Sequence, residues 1–186
     1  VRYSEFVADA CARDAGLAAA LAAGEFAPPR EAGAMRAAAQ ALLTDDADEV
    51  RFMDALRRLR RHELVRIAWR DLAGGAPLTE VLRDLSELAD AAIAAALAFA
   101  TRSLETRYGV PHSPAGERQE LVVLGMGKLG GGELNFSSDI DLIFLFPESG
   151  ETDGPRVIAN EEYFTRLGQA LIRLLDVRTA EGFVFR

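Results

Sequence analysis

Apolar residues recur at helical spacing through the first hundred positions and gather into short continuous runs after them. Residues 1–23 form an Ala-rich stretch, broken by Gly24 and the Pro28–Pro29 pair, and a second short helix is predicted over 31–43. Asp46 with Glu49 three positions on reads as a capping box, followed by Met53, Leu56, Leu64, Ile67 and Leu72 until Gly74, Gly75 and Pro77 end the helix. A longer helix is expected over 79–108, with Thr79 as its cap. Its stripe is Val81, Leu82, Leu85, Leu88, Ala92, Ile93, Ala96, Leu97, Ala100 and Leu104, and Gly109 and Pro111 stop it. At about 1.5 Å per residue it would run roughly 45 Å, long enough to act as a packing spine.

Beyond the loop PHSPAGERQE the pattern shortens. LVVL (121–124) and DIDLIFLF (139–146) read as strands, and the second, apolar on both faces, reads as fully buried. The polar stretch PESGETDGPR reads as a mobile loop. Asn160 is placed as the cap of a helix whose buried side is Phe164, Leu167, Leu171 and Leu174, and GFVFR reads as the start of a further strand. A helical array followed by strand, loop, strand, helix and strand is an α+β fold, with a helical region over 1–110 and a core over 111–186.

Composition narrows the function. Of 186 residues 49% are hydrophobic, which excludes disorder, and the net charge of −8 argues against non-specific grip on nucleic acid. No run approaches a membrane span, the start VRYSEFVADA lacks a signal pattern, and the single Cys11 suits a reducing compartment. A cytoplasmic protein is expected. The 21 basic residues are 20 arginines and one lysine, Lys128.

That lysine stands inside GMGKLGGGELNFSS, between the two strands. Glycines 125, 127, 130, 131 and 132 let backbone N–H groups approach an anion, and Lys128 adds a compact charge suited to phosphate. Asp139 and Asp141, at i and i+2, project from one face of their strand. If that strand is buried, the two carboxylates need a partner, and Mg²⁺, which takes oxygen ligands and substrate phosphates, supplies one; the other reading is that both end the strand in solvent. Ser137 and Ser138 fit ligand contact or a plain serine turn equally. From 121 to 147 the net charge is −2, so a polyanionic nucleotide would need metal to stay.

A Rossmann reading of G-x-G-x-x-G fails because only eight residues separate Gly130 from Asp139. A Walker reading fails because no Ser or Thr follows Lys128. The RRLRR block (Arg57, Arg58, Arg60, Arg61) reads as a solvated, salt-bridged face, and His62 and His112 have no ligand-spaced partners. Trp69 and Cys11 are expected to pack.

GMGKLGGGELNFSSDIDLIFLF resembles the signature of the glutamine synthetase adenylyltransferase family, bifunctional enzymes with two nucleotidyltransferase domains. The likeness extends through LRRLRRHELVRIAWRDL, LSELADAAIAAAL, YFTRLGQALIRLLD and GFVFR. It implies a polymerase-β-like mixed sheet in the core and, from the upstream helices and ELNFSSDIDL, the N-terminal, deadenylylating half. There phosphate attacks the AMP–tyrosine diester of adenylylated glutamine synthetase to give ADP, and a PII-type regulatory protein is implied as a further partner. By the same resemblance Asp139 and Asp141 are metal ligands, and Lys128, Gly130, Gly131 and Ser138 lie near the nucleotide phosphates. The family's third aspartate is expected beyond GFVFR, so the sequence reads as a fragment incomplete at its C-terminus. Two alternatives stay open: ATP-dependent adenylylation of glutamine synthetase or another acceptor, and a non-catalytic module that senses nucleotide.

Overall fold

A computed structural model describes residues 4–186 of the chain; the first three positions of the 1–23 stretch lie outside the described residues. Five helices come first: α1 (Glu5–Arg13), α2 (Ala15–Ala22), α3 (Ala34–Gln40), α4 (Glu49–Leu72) and α5 (Leu78–Tyr108). Then follow β1 (Pro111–His112), β2 (Val122–Gly125), the single turn α6 (Gly127–Gly130), β3 (Leu142–Leu145), β4 (Glu151–Thr152) and α7 (Asn160–Asp176). The fold is α+β and dominated by helix, with two small antiparallel sheets, β1–β4 and β2–β3.

The 31-residue α5 is the spine, packing against α3, α4 and α7. Its small alanines (Ala89, Ala92, Ala96) let neighbours approach closely, while Leu88 and Phe99 fill the core beside Phe52, Leu56, Leu167 and Leu171. Phe52 and Phe99 stack at 4.3 Å between centroids. A second cluster, Val7, Leu17, Phe26 and Val65, fastens α1 and α2 to the opposite side of α4.

Several helix starts differ from the sequence reading, and at α2 and α4 the cap explains it. The Ala-rich stretch breaks at Asp14, whose carboxylate accepts from the N–H groups of Gly16 and Leu17 and so opens a new helix. Asp48, not Asp46, caps α4, accepting from Arg51 N–H at 2.8 Å. Pro77 precedes α5, with Thr79 already inside the helix, and Ala159 holds the position expected of Asn160. The Asn160 amide instead donates to the carbonyls of His112 and Glu148, tying α7 to both flanking loops. Leu72, counted in the α4 stripe, is exposed.

The polar stretch after β3 is pinned. Within it β4 pairs with β1, and Asp153 and Gly154 donate to the carbonyls of Val110 and Tyr108. No strand forms over 183–186, although Ile140 N–H donates to the Arg186 carbonyl. The RRLRR block is a solvated, salt-bridged face only in part: Arg58 is exposed and pairs with Glu181. Arg57, 1% exposed, donates to the carbonyls of Met53, Val177 and Gly182, and Arg61 pairs with Glu181 at 2.6 Å. The block clamps the C-terminal segment onto α4, a long-range role that a local charge run does not reveal.

Candidate functional site

The two strands and the turn between them form one hydrogen-bonded unit. β2 and β3 pair in the register Leu124↔Ile143 and Gly125↔Leu142, and the ladder continues one step further, where Met126 N–H donates to the Asp141 carbonyl at 2.9 Å. The glycine turn is thereby joined directly to the aspartate segment.

Three glycines are demanded by geometry, one of them Gly132 with φ +68°. Gly127 has φ +55°, the left-handed region that other residues avoid. At Gly130 an added Cβ would stand 2.5 Å from the Gly125 carbonyl oxygen, a clash with backbone that no rotamer relieves. The amides of Gly130 and Gly131 donate to the carbonyls of Met126 and Gly127, so they shape the turn rather than stand open. Leu129 anchors the turn in the core. Leu134 does the same further on, fully buried, with its N–H donating to the Ser86 hydroxyl on α5. Lys128, just before the Leu129 anchor, is exposed.

Asp139 and Asp141 are both exposed, on either side of the half-buried Ile140, and both precede β3 rather than lie in it. The expectation of a strand buried on both faces is overturned. Leu142, Phe144 and Phe146 pack inward, Phe144 lying against Gly168 and Phe146 stacking on Phe164 of α7 at 4.9 Å. Ile143 and Leu145, with Val122 and Leu124 on β2, stay 42% to 49% exposed. A two-stranded ribbon lying on one helix covers only one face, so the burial cost once assigned to these carboxylates does not arise. Among the described residues no group of three or more His, Cys, Asp or Glu side chains is placed to hold a metal. The pair, followed by an exposed apolar strip, suits a ligand with a charged end and a flat apolar end.

Ser137 and Ser138 lie in a turn organised by Asn135, which the sequence reading passed over. The Asn135 side-chain oxygen accepts from the Ser138 hydroxyl at 2.7 Å and from Ser137 N–H at 3.2 Å, while Asn135 N–H donates to the Ser138 hydroxyl at 3.3 Å. The N-x-S-S spacing is an Asx-turn signal and could have found it. The turn accounts for both serines.

A family profile for glutamate–ammonia ligase adenylyltransferase matches residues 1–186. The chain is similar to proteins named bifunctional glutamine synthetase adenylyltransferase/adenylyl-removing enzyme. The one from Thioalkalivibrio sulfidiphilus is 55% identical over 163 residues, covering 88% of this chain and 17% of that protein. The one from Pseudomonas aeruginosa is 50% identical over 186 residues, covering 98% and 19%. That from Nitrosococcus oceani is 58% identical over 149 residues, covering 77% and 15%. The chain thus spans less than a fifth of the length of these relatives. With a profile matching along its whole length and half or more of its residues shared with such proteins, it belongs to the glutamate–ammonia ligase adenylyltransferase family.

Proposed function

We propose that this chain carries the nucleotide-handling carboxylates and turn of a nucleotidyltransferase that removes AMP from a tyrosine of adenylylated glutamine synthetase. The observation that carries the reading is the hydrogen-bonded unit just described. Asp141 is bonded through Met126 to a glycine turn that carries the chain's single lysine, and Asp139 stands exposed two residues before it. The names of the relatives point to glutamine synthetase as the substrate and include adenylyl removal. They also include adenylyl transfer, so the forward reaction on the same protein is the second reading.

In the proposed reaction an oxygen of inorganic phosphate attacks the AMP phosphorus. The bond from phosphorus to the tyrosine oxygen breaks, the phenolate takes up a proton, and ADP leaves. Asp139 and Asp141 offer hard oxygen donors, the donor chemistry that suits Mg²⁺, and would be the residues that hold such an ion. Such an ion supplies neutralisation of the phosphate charge. Lys128, on its exposed arm, is assigned to a phosphate oxygen. The anchors at Leu129 and Leu134 keep the turn from drifting, which preserves the approach geometry.

The test is ADP release from adenylylated glutamine synthetase, phosphate and Mg²⁺ by the complete enzyme bearing this segment. D139A and D141A are each expected to lower turnover at least about 100-fold, the scale for losing one preorganised electrostatic group. Turnover near that of the unsubstituted enzyme, or turnover unchanged in excess chelator, overturns the reading. ATP-dependent modification without ADP release would favour the forward reaction.

A further inference from the structure

A cleft of about 330 Å³ opens between α1, α4 and the 135–139 loop, walled by Phe6, Arg60, Leu64, Ala68, Leu72 and Phe136. Phe6, Leu72 and Phe136 are among the exposed large apolar side chains of the described residues, and here they meet at one opening. Apolar surface gathered in this way marks ligand sites, whereas single exposed residues do not. Among the described residues the one cation in the wall is Arg60. Its guanidinium lies 5.2 Å and 5.4 Å from the ring centroids of Phe183 and Phe185, and its Nε is buried with no hydrogen-bond partner among the described residues. Burial and the neighbouring Arg57 push its pKa down to about 10, and no acidic group offsets them.

A guanidinium stacked on rings keeps its in-plane N–H edge for a planar acceptor, and carboxylate matches that edge with two oxygens. The apolar walls call for an apolar body on the same molecule. Asp71, exposed at the rim, disfavours a second negative charge on the ligand.

We propose that this cleft binds a small monocarboxylate with an apolar body, its carboxylate on Arg60 and its body between Phe6, Leu72 and Phe136. Phe136 stands between Asn135 and Ser137, so a seated ligand also holds the loop that leads to Asp139. The binding is independent of what Asp139 and Asp141 do.

Calorimetric titration of the 186-residue chain with octanoate, and with octanamide as the uncharged counterpart, tests this. Octanoate is expected to bind, with octanamide at least tenfold weaker. R60M and L72E should each weaken octanoate at least tenfold. Because Arg60 also packs on two rings, R60M counts only where its unfolding midpoint is unchanged. Leu72→Glu alters an exposed position and decides the matter alone. No octanoate binding, equal affinity for octanamide, or undiminished binding to L72E overturns the proposal.

Discussion

Charge is concentrated in two regions of this molecule and handled in opposite ways. Between α4 and α5, Glu63 and Arg66 are 2% and 1% exposed. Arg66 donates to Glu63 at 2.6 Å and to Asp84 at 2.8 Å, and Arg30 reaches the same Glu63 at 2.5 Å. Ahead of β3, by contrast, Asp139 and Asp141 stand in solvent. The first set is committed to its own partners and holds two helices in register. The second is available to something outside the chain. The buried carboxylates here serve structure, and the proposed reaction rests on exposed ones, the reverse of an argument that looks for function in desolvated carboxylates.

The sharpest way to break this contrast is to substitute one residue from each region. Arg66→Met leaves Glu63 and Asp84 buried against fewer cations, and a stability loss of about 3–5 kcal/mol is expected in urea unfolding. D139A and D141A should stay within about 0.5 kcal/mol of the parent, as exposed positions do, while removing activity. A large stability loss in the aspartate variants would erase the distinction.

Acid titration probes the first region from another side. Burial pushes the Glu63 carboxyl up, but hydrogen bonds from His62, Arg30 and Arg66 outweigh it and hold the group at about 2, below its ordinary 4.5. A depressed folded value means stability fully present above pH 4.5 and lost as pH falls toward 2. The loss should be on the order of 3 kcal/mol. Unfolding midpoints measured between pH 6 and 2 should fall over that window, and Glu63→Gln should flatten this part of the slope.

Smaller effects sharpen the second region. Gly130→Ala forces a Cβ toward the Gly125 carbonyl and should cost about 1–3 kcal/mol, read by thermal unfolding, with activity reduced as the turn shifts. Asn135→Ala removes the acceptor that gathers both serines and should cost about 1 kcal/mol. Its activity loss should exceed that of Ser137→Ala, whose hydroxyl sits 3.4 Å from Asn135.

The helices and their stops were legible because Gly and Pro punctuate them and because the α5 stripe repeats over many turns. Caps were legible only as residue types. Asp46 and Asp48 look alike in sequence, and the backbone reach to Arg51 N–H separates them. The run Leu142 to Phe146 carries no mark of which face is covered, since that depends on α7 arriving on one side only. The buried arginines were illegible for a similar reason. The carbonyls that satisfy Arg57 belong largely to residues some 120 positions away. At the site, neither the exposure of Asp139 and Asp141 nor their position ahead of β3 could be read from strand periodicity.

The most direct test of the central claim is to titrate the 186-residue chain with Mn²⁺ as a paramagnetic stand-in for Mg²⁺ and follow the backbone amide resonances. Selective broadening of Met126, Asp139, Ile140 and Asp141, abolished in the D139N/D141N double variant, is the predicted result. Broadening centred elsewhere, or unchanged in that variant, would contradict the assignment of these two carboxylates to the working site.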